Sequence, residues 1–243
     1  MKNSDYKVLI TTSGTGSRLG DLTKNTNKVL VLINNKPIIY YLLKSYPIDV
    51  SVVITLGYLG SQVKEFLVKN FPKRKFEFAI VDNYEGPGSS LGYSLLQAKE
   101  HLQCPFIYQA CDTIVVDPIP QPDHNWIGGY VADWPKSDLI LDQYRTHTVN
   151  NGKIVILNEK GIKAFDSVHI GLDGIHDYQS FWKNLEDIYK ADWLNSGLSE
   201  VHVLENMIKQ GTDFQWMPFP VWLDTGNPSA LEKTRNFLKA VEL

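Results

Sequence analysis

The chain has 243 residues, of which 43% are hydrophobic and 21% are charged, and this is the composition of an ordinary globular protein. Its formal net charge of -3 argues against nucleic acid as a partner, because there is no basic excess to neutralise phosphates. The N-terminus lacks the apolar segment of a signal peptide, and no apolar run approaches the ~18 residues that span a bilayer. Together with only two cysteines, these features predict a cytoplasmic protein without a membrane partner.

In the first half of the chain, apolar runs alternate with amphipathic segments. The pattern predicts strands at residues 7–11, 50–56, 75–82 and 105–110, and helices at residues 37–44, 61–70 and 89–102. This order predicts an α/β fold with a Rossmann-like doubly wound sheet, mostly parallel in this half. Ligands bind beyond the carboxyl ends of such strands, so we expect the loops at 12–28, 83–90 and 111–118 to surround a site.

The second half is more mixed and predicts an elaboration of the same sheet. Strands are predicted at residues 128–132, 139–149, 153–157 and 214–217, with a hairpin turn at 150–153, and helices at residues 178–189, 199–210 and 228–241. No internal repeat or linker is visible. We therefore predict a single domain over residues 1–243.

The stretch TTSGTGSRLG, residues 11–20, follows the first strand and is rich in glycine. A dinucleotide fingerprint would need a third glycine where Leu19 stands, and an acid about twenty residues further on, which is missing. A Walker A loop would need a lysine directly after a glycine, and none follows in that way. A plain glycine turn leaves Arg18 and Lys28 unexplained, whereas a loop that binds a triphosphate explains both.

This loop resembles the opening signature of the sugar-phosphate nucleotidyltransferase family, G-G-x-G-[ST]-R-L followed by P-K. Ser13 stands in place of the first glycine, and Asn27 in place of the proline before Lys28. Further segments resemble the family's motifs in the same order: NKPIIYY (35–41), ITLGYLGSQV (54–63), GPGSSLGYSLLQA (86–98), FIYQACDTIV (106–115), GKIVILNEKG (152–161), HIGLDGI (169–175) and VWLDTGNPSAL (221–231). The matches cover nearly the whole chain.

The resemblance implies transfer of a nucleotidyl group from an NTP to a phosphorylated acceptor, with release of pyrophosphate. Arg18 and Lys28 would be the catalytic residues, on the β/γ-phosphates and the α-phosphate respectively, and Asp112 and Asp224 would hold Mg²⁺. Fixed positive charge and a hard cation suit a reaction that builds negative charge on phosphate oxygens. Residues 1–118 would form the nucleotide-binding half and residues 119–243 the acceptor-binding half.

The same resemblance implies the binding residues. The nucleotide would contact Thr11, Thr12, Ser13, Gly14, Thr15, Gly16, Ser17, Asn83, Gly88 and Ser89. The acceptor would contact Glu159, Lys160, His169 and Gly171. Departures from the family pattern in both groups favour CTP as the nucleotide and a phosphorylated sugar or polyol as the acceptor, used for capsule or surface-glycan precursors. Uridylyl, guanylyl or thymidylyl transfer remains an alternative, and homo-oligomerisation stays open.

Other classes of protein are less well supported. A GT-A glycosyltransferase needs a D-x-D motif, but the segment Asp112-Thr-Ile114 lacks the second acid. A non-catalytic nucleotide-binding protein would be expected to have lost one of the charged site residues. Each of these residues also has an ordinary structural alternative: Arg18 paired with Asp21, a solvated Lys28, aspartates that cap turns, an exposed pair at 159–160, and His169 as a core histidine.

Overall fold

The computed structural model describes residues 6–131 and 141–241. Its strands are β1 (Lys7–Thr11), β2 (Leu32–Ile33), β3 (Lys36–Pro37), β4 (Ser51–Leu56), β5 (Phe76–Ile80), β6 (Phe106–Ala110), β7 (Thr113–Val115), β8 (Trp126–Tyr130), β9 (Thr146–Asn150), β10 (Lys153–Asn158), β11 (Ser167–Ile175), β12 (Gln215–Pro218) and β13 (Trp222–Asp224). Its α-helices are α1 (Ile38–Lys44), α2 (Gly60–Asn70), α3 (Leu91–Ala98), α4 (Tyr178–Ala191), α5 (Glu200–Lys209) and α6 (Pro228–Ala240). Short 3₁₀ turns are Ser17–Thr23, Lys28–Leu30, Lys99–His101 and Leu141–Gln143.

Nine of the strands form one sheet in the order β5-β4-β1-β6-β11-β8-β12-β10-β9. The first four are parallel, as the alternation of strands and helices predicts. From β11 onward the sheet is mixed, because β11 runs antiparallel to both β6 and β8, while β12 is parallel to β8. The expected mixed α/β fold with a parallel first part is therefore confirmed.

Both faces of the parallel part are covered, which explains the nearly continuous apolar sequence of its strands. Val8 and Ile10 of β1 face one hydrophobic core, which also contains side chains of α1 and α2. Leu9 and, on β4, Val53 face a second core, with side chains of α3, α4 and α5. Fixed between these two layers, the carboxyl ends of β1 and β6 give the loops that follow them a rigid base.

Several predicted boundaries differ from the structure. The helix expected at 89–102 begins at Leu91, because the Ser90 hydroxyl accepts a hydrogen bond from the Tyr93 N–H at 3.0 Å and caps it, and a 3₁₀ turn follows Ala98. The strand expected at 139–149 starts only at Thr146, after the turn Leu141–Gln143. Part of that prediction, and residue 132 of the strand expected at 128–132, lie outside the described residues.

Two segments distant in the sequence form a small antiparallel ribbon that the strand pattern did not predict. β7 pairs with β13, with Thr113 opposite Asp224 and Val115 opposite Trp222. The ribbon brings the end of β6 beside the start of α6. Among the helices of the described ranges, none is both long and apolar enough to cross a membrane.

Candidate active site

The glycine-rich loop after β1 folds back over Lys28. Gly16 has a φ of +67°, and a Cβ at this position would lie 3.0 Å from the Lys28 Cβ and 3.1 Å from the Thr23 methyl. A residue with a side chain would therefore be strained and crowded here. Gly14, Ser17 and Arg18 are exposed on the outer side of the loop, where a ligand can reach them.

Asn27 anchors the glycine-rich loop through its side chain, although in the sequence it stands out only as a departure from the family's proline. Its side-chain amide donates to the backbone carbonyls of Thr12, at 3.0 Å, and of Tyr58, at 2.6 Å. Its carbonyl oxygen accepts from the Val29 N–H at 3.1 Å and so caps the turn that carries Lys28. Asn27 is fully buried, so these bonds fix the base of Lys28.

The β7–β13 ribbon brings the two predicted metal ligands together. The Thr225 N–H donates to the Asp112 carbonyl at 2.9 Å, and the Gly226 N–H donates to Asp224 Oδ1 at 2.6 Å. A Cβ on Gly226 would lie 2.9 Å from Asp224 Oδ1 and 3.1 Å from Asp112 Oδ2. The two carboxylates therefore border the same small space, and only a glycine leaves it open.

Two cations approach Asp112. Lys28 Nζ lies 2.6 Å from Asp112 Oδ2, and Arg18 Nη2 lies 3.6 Å from the same oxygen. Burial alone would raise the pKa of Asp112, but Lys28 and then Arg18 lower it below its usual value. Burial would likewise lower the pKa of Lys28, but Asp112 raises it, so both groups are charged at neutral pH. The Arg18 side chain is 68% exposed and the Lys28 side chain 10%, so only Arg18 is free to swing toward a ligand.

Asp224 is compensated less strongly. Burial and the nearby Asp112 raise its pKa, although the Tyr144 hydroxyl, which donates to Asp224 Oδ2 at 2.7 Å, and the charge of Lys28 act in the opposite direction. No lysine or arginine of the described ranges forms a salt bridge with it. Two close carboxylates, one of them without a salt bridge, are a fitting ligand set for a hard divalent cation such as Mg²⁺.

The polar residues at the end of β1 are largely engaged within the protein. The Thr12 hydroxyl donates to the Thr55 carbonyl at 2.6 Å, and the Ser13 hydroxyl donates to the Ser94 hydroxyl at 2.9 Å. Thr11, Thr12 and Ser13 are all buried. The Thr12 and Ser13 hydroxyls therefore hold the loop against β4 and α3, and the exposed loop residues face the solvent side.

The loop at 83–90 lies at the carboxyl end of β5, as expected. The Asn83 amide donates to the Pro87 carbonyl at 3.0 Å, and the Ser89 hydroxyl donates to the Gly86 carbonyl at 2.6 Å. Gly88 has a φ of +80°, and a Cβ there would lie 2.9 Å from the Trp193 ring. The loop is thus a compact, internally bonded turn beside an exposed tryptophan.

The four residues expected on the acceptor side fall into different environments. Gly171 lies next to the site, since a Cβ on it would be 2.9 Å from the Ala110 Cβ, two residues before Asp112. Glu159 is 68% exposed and pairs with Arg145 at 2.6 Å, and Lys160 is also exposed. His169 is buried and contacts His147 and Glu200, which is the environment of a core histidine.

A cavity of about 620 Å³ opens beside Asp224, and the segment at 221–231 forms part of its wall. Aromatic side chains cover much of its wall, because Trp222 packs against Tyr130 and Tyr144 with ring centroids 5.6 Å and 5.3 Å apart. Asp224 and Lys233 supply charge at the wall. The cavity has the size and mixed lining of a small-molecule site.

The contacts of the charged residues bear on the structural alternatives considered for them. Asp21 pairs with Lys24 at 2.7 Å, so Arg18 is not its partner, and Lys28 is not solvated. Asp224 does cap the turn at Gly226, in addition to lying beside Asp112. The structure brings Arg18, Lys28, Asp112 and Asp224 together at the carboxyl ends of β1 and β6.

Comparisons with known proteins agree with this arrangement. No family model matches the chain. A segment of 107 residues is 34% identical to choline-phosphate cytidylyltransferase of Streptococcus pneumoniae, and this match covers 43% of the chain and 44% of the relative. The matched part of the chain thus spans less than half of the length of that relative.

Solved structures match over almost the full length. The inositol-1-phosphate CTP transferase from T. maritima superposes with a TM-score of 0.73 at 16% identity, over 97% of this chain and 96% of the other. The CTP:phosphocholine cytidylyltransferase from Streptococcus pneumoniae superposes with a TM-score of 0.70 at 19% identity, over 96% and 99%. The chain has the fold of these proteins. The partial match to choline-phosphate cytidylyltransferase supports the resemblance of its motifs to the sugar-phosphate nucleotidyltransferase family.

Proposed function

We propose that this chain is a nucleotidyltransferase that transfers the cytidylyl group of CTP to the phosphate of a small phosphorylated acceptor, with release of pyrophosphate. The observation that carries the proposal is the convergence of Arg18, Lys28, Asp112 and Asp224 at the carboxyl ends of β1 and β6. The partial match to a choline-phosphate cytidylyltransferase supports CTP as the nucleotide.

In the proposed reaction, an oxygen of the acceptor phosphate attacks the α-phosphorus of CTP in line. The bond between the α-phosphorus and the bridging oxygen breaks, and pyrophosphate leaves with the electron pair. Since no covalent enzyme intermediate is needed, the protein positions the reactants and stabilises charge. When bound, Mg²⁺ would supply further positive charge to the phosphate oxygens, held by Asp112 and Asp224.

The two basic residues would have different tasks because their freedom differs. Lys28 is buried and held by Asp112, so it would provide a fixed positive charge near the α-phosphate, where negative charge builds. Arg18 is largely exposed, so it would reach the β/γ-phosphates and stabilise the departing pyrophosphate. The backbone N–H groups of residues 14–17 would contact the triphosphate, a role that suits the glycines there.

Except for the buried His169, the binding residues implied by the motifs remain part of the proposal. The buried residues Thr11, Thr12 and Ser13 would shape the nucleotide site, and the turn with Asn83, Gly88 and Ser89 would border the base. Gly171 and the exposed pair Glu159 and Lys160 would face the acceptor. The acceptor would be a sugar phosphate, a polyol phosphate or phosphocholine, the last two suggested by the names of the similar proteins.

We further propose that residues 1–243 act as one domain, whose first half, residues 1–118, is the doubly wound, Rossmann-like nucleotide-binding part. The enzyme would work in the cytoplasm, where CTP is made, and supply precursors for a capsule or surface glycan. The acidic net charge supports small-molecule rather than nucleic-acid partners.

The test is a pyrophosphate-release screen of ATP, CTP, GTP, UTP and dTTP against sugar 1-phosphates, polyol phosphates and phosphocholine with Mg²⁺. We expect turnover with CTP and at least one acceptor. Arg18→Ala and Asp112→Asn should each lower it by about 10²–10³-fold, with unchanged circular dichroism. Lys24→Ala, in the same loop, is the matched control and should keep its rate.

Two results would contradict the proposal. Absence of turnover with every pair, together with absence of NTP binding by calorimetry, would exclude the enzyme. Turnover with another nucleotide but not with CTP would retain nucleotidyl transfer and exclude cytidylyl transfer.

A further inference from the structure

A second group of titratable side chains lies in the interior, on β11 and at the start of α5. His169 and Asp173 belong to β11, and Glu200 is the first residue of α5. One potential ligand atom from each of the three lies within 4.8 Å of the others. None of the three is needed for the chemistry proposed above.

The backbone of β11 brings two of these side chains to the same place. The pairing of β11 with β8 shifts register between His169 and Asp173, and Gly171 between them has a φ of +68°. Such bulges re-aim side chains and are over-represented near functional sites. All nine residues of β11 are buried, and the irregularity lies between two of its polar side chains, His169 and Asp173.

Three of the four carboxylate oxygens in this group have no hydrogen-bond partner in the described part of the chain. Asp173 is fully buried, and neither of its oxygens has a well-formed hydrogen bond in the described part of the chain. Glu200 is 6% exposed, and its Oε2 is also without a partner there. Leaving buried carboxylates unpaired is costly, so something must balance them.

A chain of hydrogen bonds behind His169 orients its ring. His169 Nδ1 lies 3.1 Å from His147 Nε2, and His147 Nδ1 lies 2.9 Å from the Ser167 hydroxyl. The other ring nitrogen of His169, Nε2, lies 3.4 Å from Glu200 Oε1 and so points at the acids. Metal-binding histidines are commonly held in this way, with one ring nitrogen hydrogen-bonded to the protein and the other aimed at the ion.

The packing around this chain of hydrogen bonds leaves it little freedom. A Cβ on Gly129 of β8 would lie 2.6 Å from the Ser167 hydroxyl oxygen and 3.2 Å from His147 Nδ1. Only a glycine fits there without moving the groups that orient His169.

We propose that His169, Asp173 and Glu200 bind a divalent transition-metal ion such as Zn²⁺ or Mn²⁺, separate from the Mg²⁺ of the reaction. One imidazole nitrogen with two carboxylates is a ligand set that these ions accept. At about 2.1 Å per bond, two ligands lie at most about 4.2 Å apart, so the side chains would close by roughly half an ångström. The ion would tie β11 to the start of α5 and neutralise both acids.

The experiment measures metal content and stability of the full chain, purified without a histidine tag and dialysed against metal-free buffer. Elemental analysis should give about one Zn²⁺ or Mn²⁺ per chain. Protein from which a chelator has removed the ion, with warming to speed its release, should have a lower melting temperature than the metal-bound protein. After loading with Co²⁺, visible absorption bands should report an imidazole–carboxylate site. Asp173→Asn and Glu200→Gln should each lower the metal content at least tenfold.

Further variants distinguish this metal site from the site of the reaction. Asp112→Asn, which changes the site of the reaction, should keep the bound ion and the Co²⁺ bands. If Asp173→Asn does not fold, the metal content of Glu200→Gln and a Co²⁺ titration of the unaltered protein still test whether the site binds metal. Because the test does not use turnover, its failure is independent of the proposed function.

Two results would overturn the proposal. The first is a chain that neither retains nor binds Zn²⁺, Mn²⁺ or Co²⁺, which would mean that protons balance the acids. The second is full metal content in both acid variants.

Discussion

Lys28 and Asp112 are 84 positions apart in the chain, yet the Lys28 ammonium lies 2.6 Å from the Asp112 carboxylate. The contact joins the loop after β1 to the end of β6. It sets the charge of both groups, because the carboxylate keeps the buried lysine protonated and the lysine keeps the acid ionised.

Replacing Lys28 should therefore remove a fixed charge and disturb its partner. We expect Lys28→Met to lower the rate of pyrophosphate release by about 10²–10³-fold, because a preorganised charge near the developing negative charge is lost. Initial-rate measurements with CTP and the best acceptor would check this. Lys24→Met changes an exposed lysine nearby and should retain the rate. A near-normal rate for Lys28→Met would remove this residue from the mechanism.

Gly226 leaves open the space that both carboxylates border. Gly226→Ala would add a Cβ 2.9 Å from Asp224 Oδ1 and 3.1 Å from Asp112 Oδ2, which is too close without displacement. We expect a higher Mg²⁺ requirement and a turnover reduced by about 10²-fold, since small displacements at reacting centres are costly. Mg²⁺ titration of the rate is the measurement. Gly197→Ala, whose added carbon meets only the Asn195 amide oxygen at 3.2 Å, serves as the control. Equal Mg²⁺ dependence in both variants would contradict the shared-space interpretation.

Asn27 should matter for stability as well as for the position of Lys28. Asn27→Asp keeps the size and the acceptor for the Val29 N–H, but places a carboxylate oxygen against the carbonyls of Thr12 and Tyr58. We expect the free energy of unfolding to fall by about 1–3 kcal/mol, the cost of unsatisfied buried polar groups. Urea denaturation would measure it. The exposed Asn25 provides the matched variant Asn25→Asp, which should be neutral. Equal stability of both variants would show that Asn27 is not an anchor.

The pH dependence of stability should report Glu77 on β5. Its carboxylate lies 2.8 Å from Lys7 Nζ and 3.2 Å from His101 Nδ1. Burial would raise the pKa of Glu77, but Lys7 and His101 lower it below 4.5. A depressed pKa gives stability that is present above the pKa of the unfolded chain and is lost as pH falls through the folded value.

Glu77→Gln should therefore be less stable than the unaltered protein at pH 7, and the difference should shrink as the pH is lowered from about 5 toward about 3. Chemical denaturation at several pH values would measure this. Glu65→Gln, on the exposed face of α2, should follow the unaltered protein throughout. If the difference in stability between Glu77→Gln and the unaltered protein stays constant with pH, the ion pairs of Glu77 are not its cause.

The local parts of this fold were predictable because their signals lie close together in the sequence. The apolar run of β1 and the amphipathic pattern of α2 depend on neighbours within a few residues, and both were predicted to within one residue. The sequence Asn-Gly likewise predicts the hairpin at 150–153. In the structure Asn151 and Gly152 have the positive φ that this tight turn requires.

The rest depended on contacts that a single sequence does not record. The β7–β13 ribbon pairs residues more than a hundred positions apart, and its short strands carry no alternating pattern. Asn27 looked like a defect in a motif because its partners, Thr12 and Tyr58, are revealed only by folding. Asp173 is buried although charged residues usually lie at the surface, so its burial could not be inferred from the sequence.

The β7–β13 ribbon also bears on when the protein could become active during folding. Asp112 and Asp224 can meet only after the chain between them has closed into a loop, at an entropic cost that local elements do not bear. The parallel strands β1, β4, β5 and β6 can assemble earlier, since they lie within the first 110 residues. Pyrophosphate release would thus serve as a late kinetic marker in refolding, appearing after most of the helical signal has returned.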